Sequence, residues 1–138
     1  MSRRIEKTGV IDAPVEKVYQ VVADVTRYPE FLPGVQEVTQ DGDLFAMTVS
    51  LGPIEVTWTS RAVFKPHESI TTRLVEGPFR WMDVRWEFTP SGDKTRVRYT
   101  TGFELYLRLP GISRIVAKAI EANTEPTMRA FRRRVHSL

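Results

Sequence analysis

The spacing of apolar residues changes along the chain, and each spacing predicts a different element. Apolar side chains first recur at helical intervals from Val15 to Ala23, which predicts a short amphipathic helix. Asp12 and Pro14 stand just ahead of it, and an Asp N-cap followed by a Pro in the first turn is a common helix start. We expect this helix to end near Asp24 and the residues before Asp12 to form a first strand.

Alternation of apolar and polar residues replaces the helical spacing between residues 35 and 105. The alternating segments are separated by short turn sequences, of which Gly52-Pro53 and Gly77-Pro78 are examples. Strands joined by connections this short predict an antiparallel meander.

Helical spacing returns from Gly111 onward and predicts one long amphipathic helix. Pro126 lies within it, and we expect a bend there because proline removes a backbone donor and its ring clashes with the preceding turn. An antiparallel sheet with one apolar face must bury that face. The long helix has the length and the amphipathic character to cover it.

A curved sheet that grips one helix leaves a gap wherever its curvature exceeds the width of the helix. The side chains predicted to face this gap are large and apolar, but they are interrupted by hydroxyls and an amide. Unpartnered buried polar groups are costly, whereas a mostly apolar cavity with a few polar groups is typical of a small-molecule site. The alternative is that the hydroxyls lie near strand ends or bond to the backbone. The polar positions are Ser60, Thr72, Thr101 and Asn123.

The amino-acid composition limits the kinds of functional site that the chain can form. The chain has 138 residues, 41% hydrophobic and 27% charged, which fits one globular domain spanning residues 1–138. It contains no cysteine and two histidines that are far apart, so disulfides, thiolate nucleophiles and Cys- or His-rich metal sites are excluded. We expect no metal and no cofactor. The apolar runs are too short to span a bilayer, and the N-terminal segment has no secretory apolar region, so we expect a cytoplasmic location.

The formal net charge of +3 is unevenly distributed, because the C-terminal residues carry an arginine cluster. One interpretation is a surface for RNA, anionic lipid or an acidic partner. The other is the solvated C-terminal end of a helix, where cations are favoured by the helix dipole. The cluster consists of Arg129, Arg132, Arg133 and Arg134.

Two runs, IDAPVEKVYQVVADVTRYPEFLPGVQEV and LVEGPFRWMDVRWEFTP, resemble the coenzyme-Q-binding, START-like proteins. Those proteins are grouped with bacterial ribosome-association toxins and polyketide cyclase/dehydrase-like domains. The likeness extends over nearly the whole chain. The matching positions are Ala13, Pro14, Val18, Tyr19, Asp24, Tyr28, Pro29, Phe31, Pro33 and Gly34 in the first run, and Gly77, Pro78, Phe79, Trp86 and Phe88 in the second.

The resemblance implies an α+β helix-grip fold. In this fold a curved antiparallel sheet of about seven strands wraps around a long C-terminal helix, with two short helices between the first and second strands. It also implies an elongated hydrophobic tunnel. Some members bind a polyprenyl quinone or another lipid and present it to partner enzymes, others cyclise polyketides, and the toxin branch associates with the large ribosomal subunit. The likeness alone does not choose among these functions.

Three functions therefore stay open. A carrier of a hydrophobic molecule such as a quinone or lipid needs no catalytic residues, and its affinity comes from apolar burial. A cyclase needs an acid/base pair over the bound chain. The possible groups are Glu76, Asp83, Tyr99 and Arg85, but Asp83 and Arg85 share the face opposite the apolar one. A ribosome-binding module would use the arginine cluster, which could equally make transient contact with a membrane.

The carrier hypothesis gives a set of candidate ligand-binding residues and no catalytic residues. Within this set we expect Tyr28, Phe31 and Leu32, on a segment broken by two prolines, to form part of a lid over the cavity. The alternative is that these three side chains only plug the end of the core. The full set is Tyr28, Phe31, Leu32, Met47, Trp58, Leu74, Trp86, Tyr99, Phe103, Ile115, Ala119 and Asn123.

Overall fold

The structure is a computed structural model that describes residues 2–105 and 110–138, with side chains for residues 3–105 and 114–138. A long series of strands is interrupted once by helices and is followed by one long helix. The elements are β1 (Ser2–Ile11), α1 (Val15–Ala23), a 3-10 helix (Val25–Glu30), β2 (Val35–Asp41), β3 (Leu44–Leu51), β4 (Ile54–Lys65), β5 (Ser69–Glu76), β6 (Phe79–Ser91), β7 (Lys94–Leu105) and α2 (Pro110–Ser137).

The predicted N-cap of α1 is wrong by two residues. The N-cap is Pro14, without a side-chain hydrogen bond, and its carbonyl oxygen accepts the first bonds of the helix from Lys17 and Val18. Asp12 is exposed and lies ahead of the cap. The extended backbone of Pro14 already has the geometry that an N-cap needs, so the helix begins without a capping side chain.

The seven strands of the described residues form one antiparallel sheet in the order β1-β7-β6-β5-β4-β3-β2. Strands β2 to β7 follow one another as a meander, and β1 joins the free side of β7. Within the described residues the register shifts at three places, at Val35/Glu37 against β3, at Thr59/Ser60 against β5 and at Phe79/Trp81 against β7. Such bulges bend a strand and increase its twist, which helps the sheet to curve around α2.

The second half of α2 packs against α1 and the inner face of the sheet. Phe131 and Val135 are almost completely buried, together with Val18 and Val22 of α1 and Val97 of β7. These apolar contacts account for the position of the helix across the sheet.

Polar contacts join α2 to β1 along one side. Arg3 lies 3.4 Å from the Glu121 carboxylate, and Lys7 pairs with Glu125. Farther along, Arg132 donates to the carbonyl oxygen of Val10 at 3.3 Å. Because β1 is an edge strand, these side chains of α2 cover an edge that would otherwise be open.

The predicted α+β helix-grip architecture is confirmed, including the seven-stranded curved sheet, the short helices between β1 and β2 and the long C-terminal helix. Pro126 lies inside α2, which continues to Ser137, and the bend there stays a prediction. None of the described helices combines the length and the apolar character needed to cross a membrane.

Candidate functional site

A cavity of about 190 Å³ lies between the inner face of the sheet and α2. Its described lining is mostly aliphatic and aromatic, with a few hydroxyls and one amide. Strands β2 to β7, the segment after α1 and the middle of α2 all contribute side chains. Seven of the candidates from the sequence line this cavity: Tyr28, Leu32, Met47, Trp58, Trp86, Tyr99 and Asn123.

The other candidates lie outside the lining. Phe103 is 1% exposed and packs in a neighbouring apolar cluster, against which Leu74 also packs. Ile115 is exposed, and with Ala119 it lies close to the turn between β3 and β4. A methyl group added to Gly52 in that turn would lie 3.7 Å from Ala119 Cβ and 3.9 Å from Ile115 Cγ2. These residues therefore support the wall of the cavity or lie beyond its end.

Residues 25–34 contain the three side chains predicted to form a lid and are called the lid segment. Phe31 lies on the outer side of this segment. Its ring stands edge-on to Phe131, with 5.4 Å between the ring centroids, and it is partly buried beneath the Arg134 guanidinium at 5.0 Å. Tyr28, in contrast, is buried and reaches the cavity. The segment thus presents Tyr28 and Leu32 inward and Phe31 toward the C-terminal part of α2.

Tyr28 is fixed by its own neighbours. Its hydroxyl donates a hydrogen bond to the carbonyl oxygen of Val22, and its ring centroid lies 5.3 Å from that of Phe131. The backbone of the same residue accepts bonds from the N–H groups of Phe31 and Leu32, at 3.1 and 2.8 Å. These contacts hold the lid segment as a compact 3-10 turn against α2.

Sequence reasoning left several lining residues out of the candidate set. Ile120, Thr127 and Phe131 line the cavity from α2, and their spacing from Asn123 gives a single helical stripe. That spacing could have identified them. Phe79 also lines the cavity but was harder to identify from the sequence. It directly follows the Gly77-Pro78 break, where the alternation of apolar and polar residues does not show which side of the sheet a residue faces.

Aromatic side chains form two groups around the cavity. In one group, the Trp86 ring lies 4.7 Å from Tyr99 and 5.1 Å from Phe131, measured between centroids. In the other, Trp58 stands edge-on to Phe79 at 5.8 Å. Edge-to-face and offset arrangements at these distances stabilise aromatic pairs. All five of these rings line the cavity.

Among the described lining residues, the ionisable side chains are Tyr28 and Tyr99. Burial raises the pKa of Tyr99 to about 12. Burial also raises the pKa of Tyr28, and charge repulsion involving Tyr99 and Asp24 adds to it. Both phenols therefore stay neutral at physiological pH.

Two of the lining threonine hydroxyls, like the hydroxyl of Tyr28, already donate to backbone carbonyl oxygens. Thr101 donates to the carbonyl oxygen of Asp83 at 3.2 Å, and Thr124 donates to that of Ile120 at 3.1 Å. The Asn123 amide donates to the carbonyl oxygen of Pro33 at 3.4 Å, which joins α2 to the end of the lid segment. For Thr101, the alternative raised by the sequence, a backbone-bonded hydroxyl, thus holds.

No group of three or more histidine, aspartate or glutamate residues that could hold a metal ion occurs in the part of the chain that the structure describes. The charged side chains lie instead on outer surfaces. On the outer face of the sheet, Arg4 is 3.8 Å from Asp83 and Arg85 is 3.4 Å from Glu87. Asp83 and Arg85 therefore belong to a surface charge arrangement away from the cavity.

The arginine cluster divides into two kinds of residue. Arg134 pairs with Glu30 at 2.8 Å, and Arg132 donates to the backbone of β1. Arg129 and Arg133 are exposed. The first two hold α2 against its neighbours, and the other two extend into solvent.

Known proteins resemble the chain along most of its length. The family described as polyketide cyclase / dehydrase and lipid transport matches residues 11–132. The persistence and stress-resistance toxin PasT of Escherichia coli O6:H1 is 36% identical over 112 residues, covering 77% of this chain and 71% of the toxin. The ribosome association toxin RatA of Escherichia coli K12 is 35% identical over 112 residues, with the same 77% and 71% coverage.

Solved structures share the fold. The crystal structure of Zhui aromatase/cyclase from Streptomyces sp. R1128 superposes with a TM-score of 0.88, covering 99% of this chain and 94% of that protein. The two sequences are 21% identical, so this likeness bears on the fold alone.

Proposed function

Because the chain belongs to the polyketide cyclase/dehydrase and lipid transport family, we propose that it binds and carries a hydrophobic small molecule. The ligand class is a polyprenyl quinone or another lipid, held between the sheet and α2. The observation that carries the proposal is the cavity, whose lining is mostly apolar and aromatic with a few hydroxyls and one amide. This composition is the usual one for a small-molecule site.

The chemistry of the lining favours binding over catalysis. General acid/base work near neutral pH needs a group whose pKa lies near the working pH. The ionisable side chains among the described lining residues are tyrosines, and burial raises their pKa values. Of the charged residues considered for a cyclase, Asp83 and Arg85 contact other surface charges, and Glu76 is exposed and outside the lining.

Tryptophan fluorescence tests the proposal, because the three tryptophans occupy different surroundings. Trp58 and Trp86 line the cavity, whereas Trp81 does not and lies beneath the guanidinium of Arg4 at 5.9 Å. A short-chain ubiquinone should quench the fluorescence saturably. The Trp58→Phe, Trp86→Phe double variant should lose most of this quenching, while the matched control Trp81→Phe should keep it.

Two results would contradict the proposal. One is the absence of saturable quenching with any quinone or lipid probe. The other is equal loss of the signal in the double variant and in the Trp81→Phe control. Mass spectrometry of the protein gently purified from its native host gives an independent measurement, because a carrier should retain part of its ligand.

Association with the ribosome is the second candidate function. It is favoured by the similarity to a ribosome association toxin, together with the exposed arginines of α2. Arg129 and Arg133 would contact RNA phosphates, and such contacts weaken as salt increases. The Arg129→Gln, Arg133→Gln double variant should lose salt-sensitive co-sedimentation with ribosomes, whereas Arg96→Gln, an exposed arginine on β7, should not. Unchanged co-sedimentation of the double variant would remove this candidate.

A cytoplasmic location suits both functions and is part of the proposal. The same exposed arginines could make transient contact with anionic lipid head groups while a ligand is exchanged. Binding to anionic vesicles, measured with and without the Arg129→Gln, Arg133→Gln changes, tests that contact separately from the ribosome.

A further inference from the structure

The polar groups of the cavity lie between apolar ones along the strands. On β4 the lining residues Trp58, Ser60 and Ala62 place a hydroxyl between an aromatic ring and a methyl group. On β5, Thr72 follows Ile70 in the lining. Ala62 is directly opposite Thr72, so Ser60 and Thr72 are diagonal neighbours on adjacent strands. Diagonal neighbours on one sheet face are close enough for one small molecule to contact both.

The helix repeats this arrangement from the other side of the cavity. Ile120 and Phe131 line it at either end of a stripe whose middle consists of Asn123, Thr124 and Thr127. Spacings of three and four residues put these side chains on one face of α2. The sheet and the helix therefore both place their hydrogen-bonding groups in the middle of their lining stripes.

Three of these hydroxyls are available to a ligand. The side-chain hydroxyls of Ser60, Thr72 and Thr127 have no hydrogen-bond partner within the described residues, unlike those of Thr101 and Thr124. Every fully buried side-chain nitrogen or oxygen in the described part of the chain has a partner. The three unpaired oxygens are therefore accessible, and their residues line the cavity.

The size of the cavity limits what can bind there. An engineered apolar cavity of about 150 Å³ holds one benzene molecule. The cavity in this chain is about 190 Å³, so it takes one substituted ring and not a long chain. A ligand with a tail would place only its ring-sized head among these side chains.

Resting on the proposed function, we infer that the cavity selects an uncharged, ring-sized head group bearing carbonyl oxygens. Ser60 and Thr72 donate to these oxygens from the sheet, and Thr127 donates from α2. The second N–H of the Asn123 amide is a further donor, because the structure assigns one amide contact, to Pro33. Among the described lining residues the side chains are uncharged, and burying a carboxylate or an ammonium group among them is costly.

Three probes of one shape test the inference: 2,5-dimethyl-1,4-benzoquinone, para-xylene and 2,5-dimethylbenzoate. The quinone is para-xylene with two added carbonyl oxygens, and the chain has no cysteine to react with its ring. Affinities are measured by ligand-observed NMR on the full chain. We expect the quinone to bind about tenfold more tightly than para-xylene, and the benzoate more weakly than the quinone by at least about tenfold.

Variants separate the hydroxyl contacts from general packing. Ser60→Ala and Thr72→Val should each lower the quinone affinity about fivefold and change that of para-xylene by less than about twofold. Thr72→Ser, which keeps the hydroxyl, should retain most of the quinone affinity. The matched control is Thr124→Val, because the Thr124 hydroxyl already donates to the Ile120 carbonyl oxygen. It should affect both probes by less than about twofold.

The outcomes distinguish this inference from the proposed function. If para-xylene binds as tightly as the quinone, or if Ser60→Ala and Thr72→Val weaken both probes alike, selection by carbonyl groups is wrong while apolar binding stands. Binding of the benzoate as tight as that of the quinone would overturn selection for an uncharged head. If neither the quinone nor para-xylene binds, both the inference and the proposed function fail.

Discussion

Arg134 of α2 donates a hydrogen bond to the carboxylate of Glu30 across 2.8 Å, and this contact connects the long helix to the 3-10 helix after α1. The same guanidinium lies 5.0 Å over the Phe31 ring. One arginine of the C-terminal cluster thus stabilises the lid segment, whereas its neighbour Arg133 is exposed. Adjacent positions in one basic run therefore have different physical roles.

Replacing Arg134 by methionine should lower the free energy of unfolding by about 1 kcal/mol, through loss of the ion pair and of the cation–π contact. Arg133→Met is the matched control and should stay within about 0.5 kcal/mol of the parent. Urea denaturation of the parent and both variants measures the difference. If both variants lower the free energy of unfolding equally, the contact of Arg134 with Glu30 does not stabilise the fold.

Gly77 fixes the position of Trp58 at the cavity wall. It has φ of +156°, and a methyl group added there would lie 2.7 Å from Trp58 Cβ. Gly77→Ala should therefore destabilise the fold by about 2–3 kcal/mol and weaken binding of the quinone probe, because Trp58 must move. The control is Gly92→Ala, where φ is +63° but no atom lies within 4 Å of the added methyl group.

The control should cost only about 1 kcal/mol, from the backbone strain alone, and should leave binding unchanged. Thermal denaturation and the fluorescence titration together measure both effects. If the two alanine variants behave alike in binding, contact with Trp58 is not what places the tryptophan.

Tyr99 should make the stability depend on alkaline pH. Its pKa is raised by burial from 10.0 to about 12 in the folded chain. The folded state therefore keeps its proton where the unfolded state loses it, so the stability that this shift contributes is complete below pH 10 and is lost as the pH rises through about 12. Urea denaturation between pH 8 and pH 11 should show falling stability, and Tyr99→Phe should reduce the slope. An unchanged slope in that variant would assign the alkaline loss to other groups.

Glu125 should make the stability of the fold depend on pH in the acid range. Its hydrogen bond and attraction to Lys7 lower its pKa below the ordinary value of 4.5. The resulting stability is present above that value and is lost as the pH falls through the lowered pKa of the folded state. Glu125→Gln should flatten the stability profile in this acid range. The same comparison in high salt should give a smaller difference, because the exposed pair is screened.

The spacing of apolar residues predicted the helices and strands well. A helix or strand that buries one side has apolar residues at regular intervals, and the sequence shows these intervals directly. They predicted less about which inward side chains reach the cavity. Leu74 and Phe103 were placed correctly on apolar faces, but they pack in a cluster beside the cavity. The extent of the cavity along a strand depends on the curvature of the sheet and on the pairing register, including the bulge at Thr59/Ser60. The alternation of apolar and polar residues predicts neither the curvature nor the register.

The arginine cluster shows the same limit at the surface. Charge and helical spacing identified all four arginines but could not separate Arg134 from Arg133. That distinction depends on Glu30, which is 104 residues away in sequence and reaches Arg134 only in the folded chain. Contacts between distant segments of this kind leave no local pattern.

The contacts of α2 are unevenly distributed along its length. From Glu121 onward, the helix and Leu138 directly after it are joined to β1, α1 and the lid segment by ion pairs and hydrogen bonds. Ahead of Glu121, the described side chains Val116 and Ala117 are buried in apolar clusters with strand residues, and Ile115 and Ala119 lie near the β3–β4 turn at Gly52. The wall that α2 gives to the cavity therefore rests on apolar packing at its Gly52 end, and on packing together with ion pairs and hydrogen bonds along the second half of the helix.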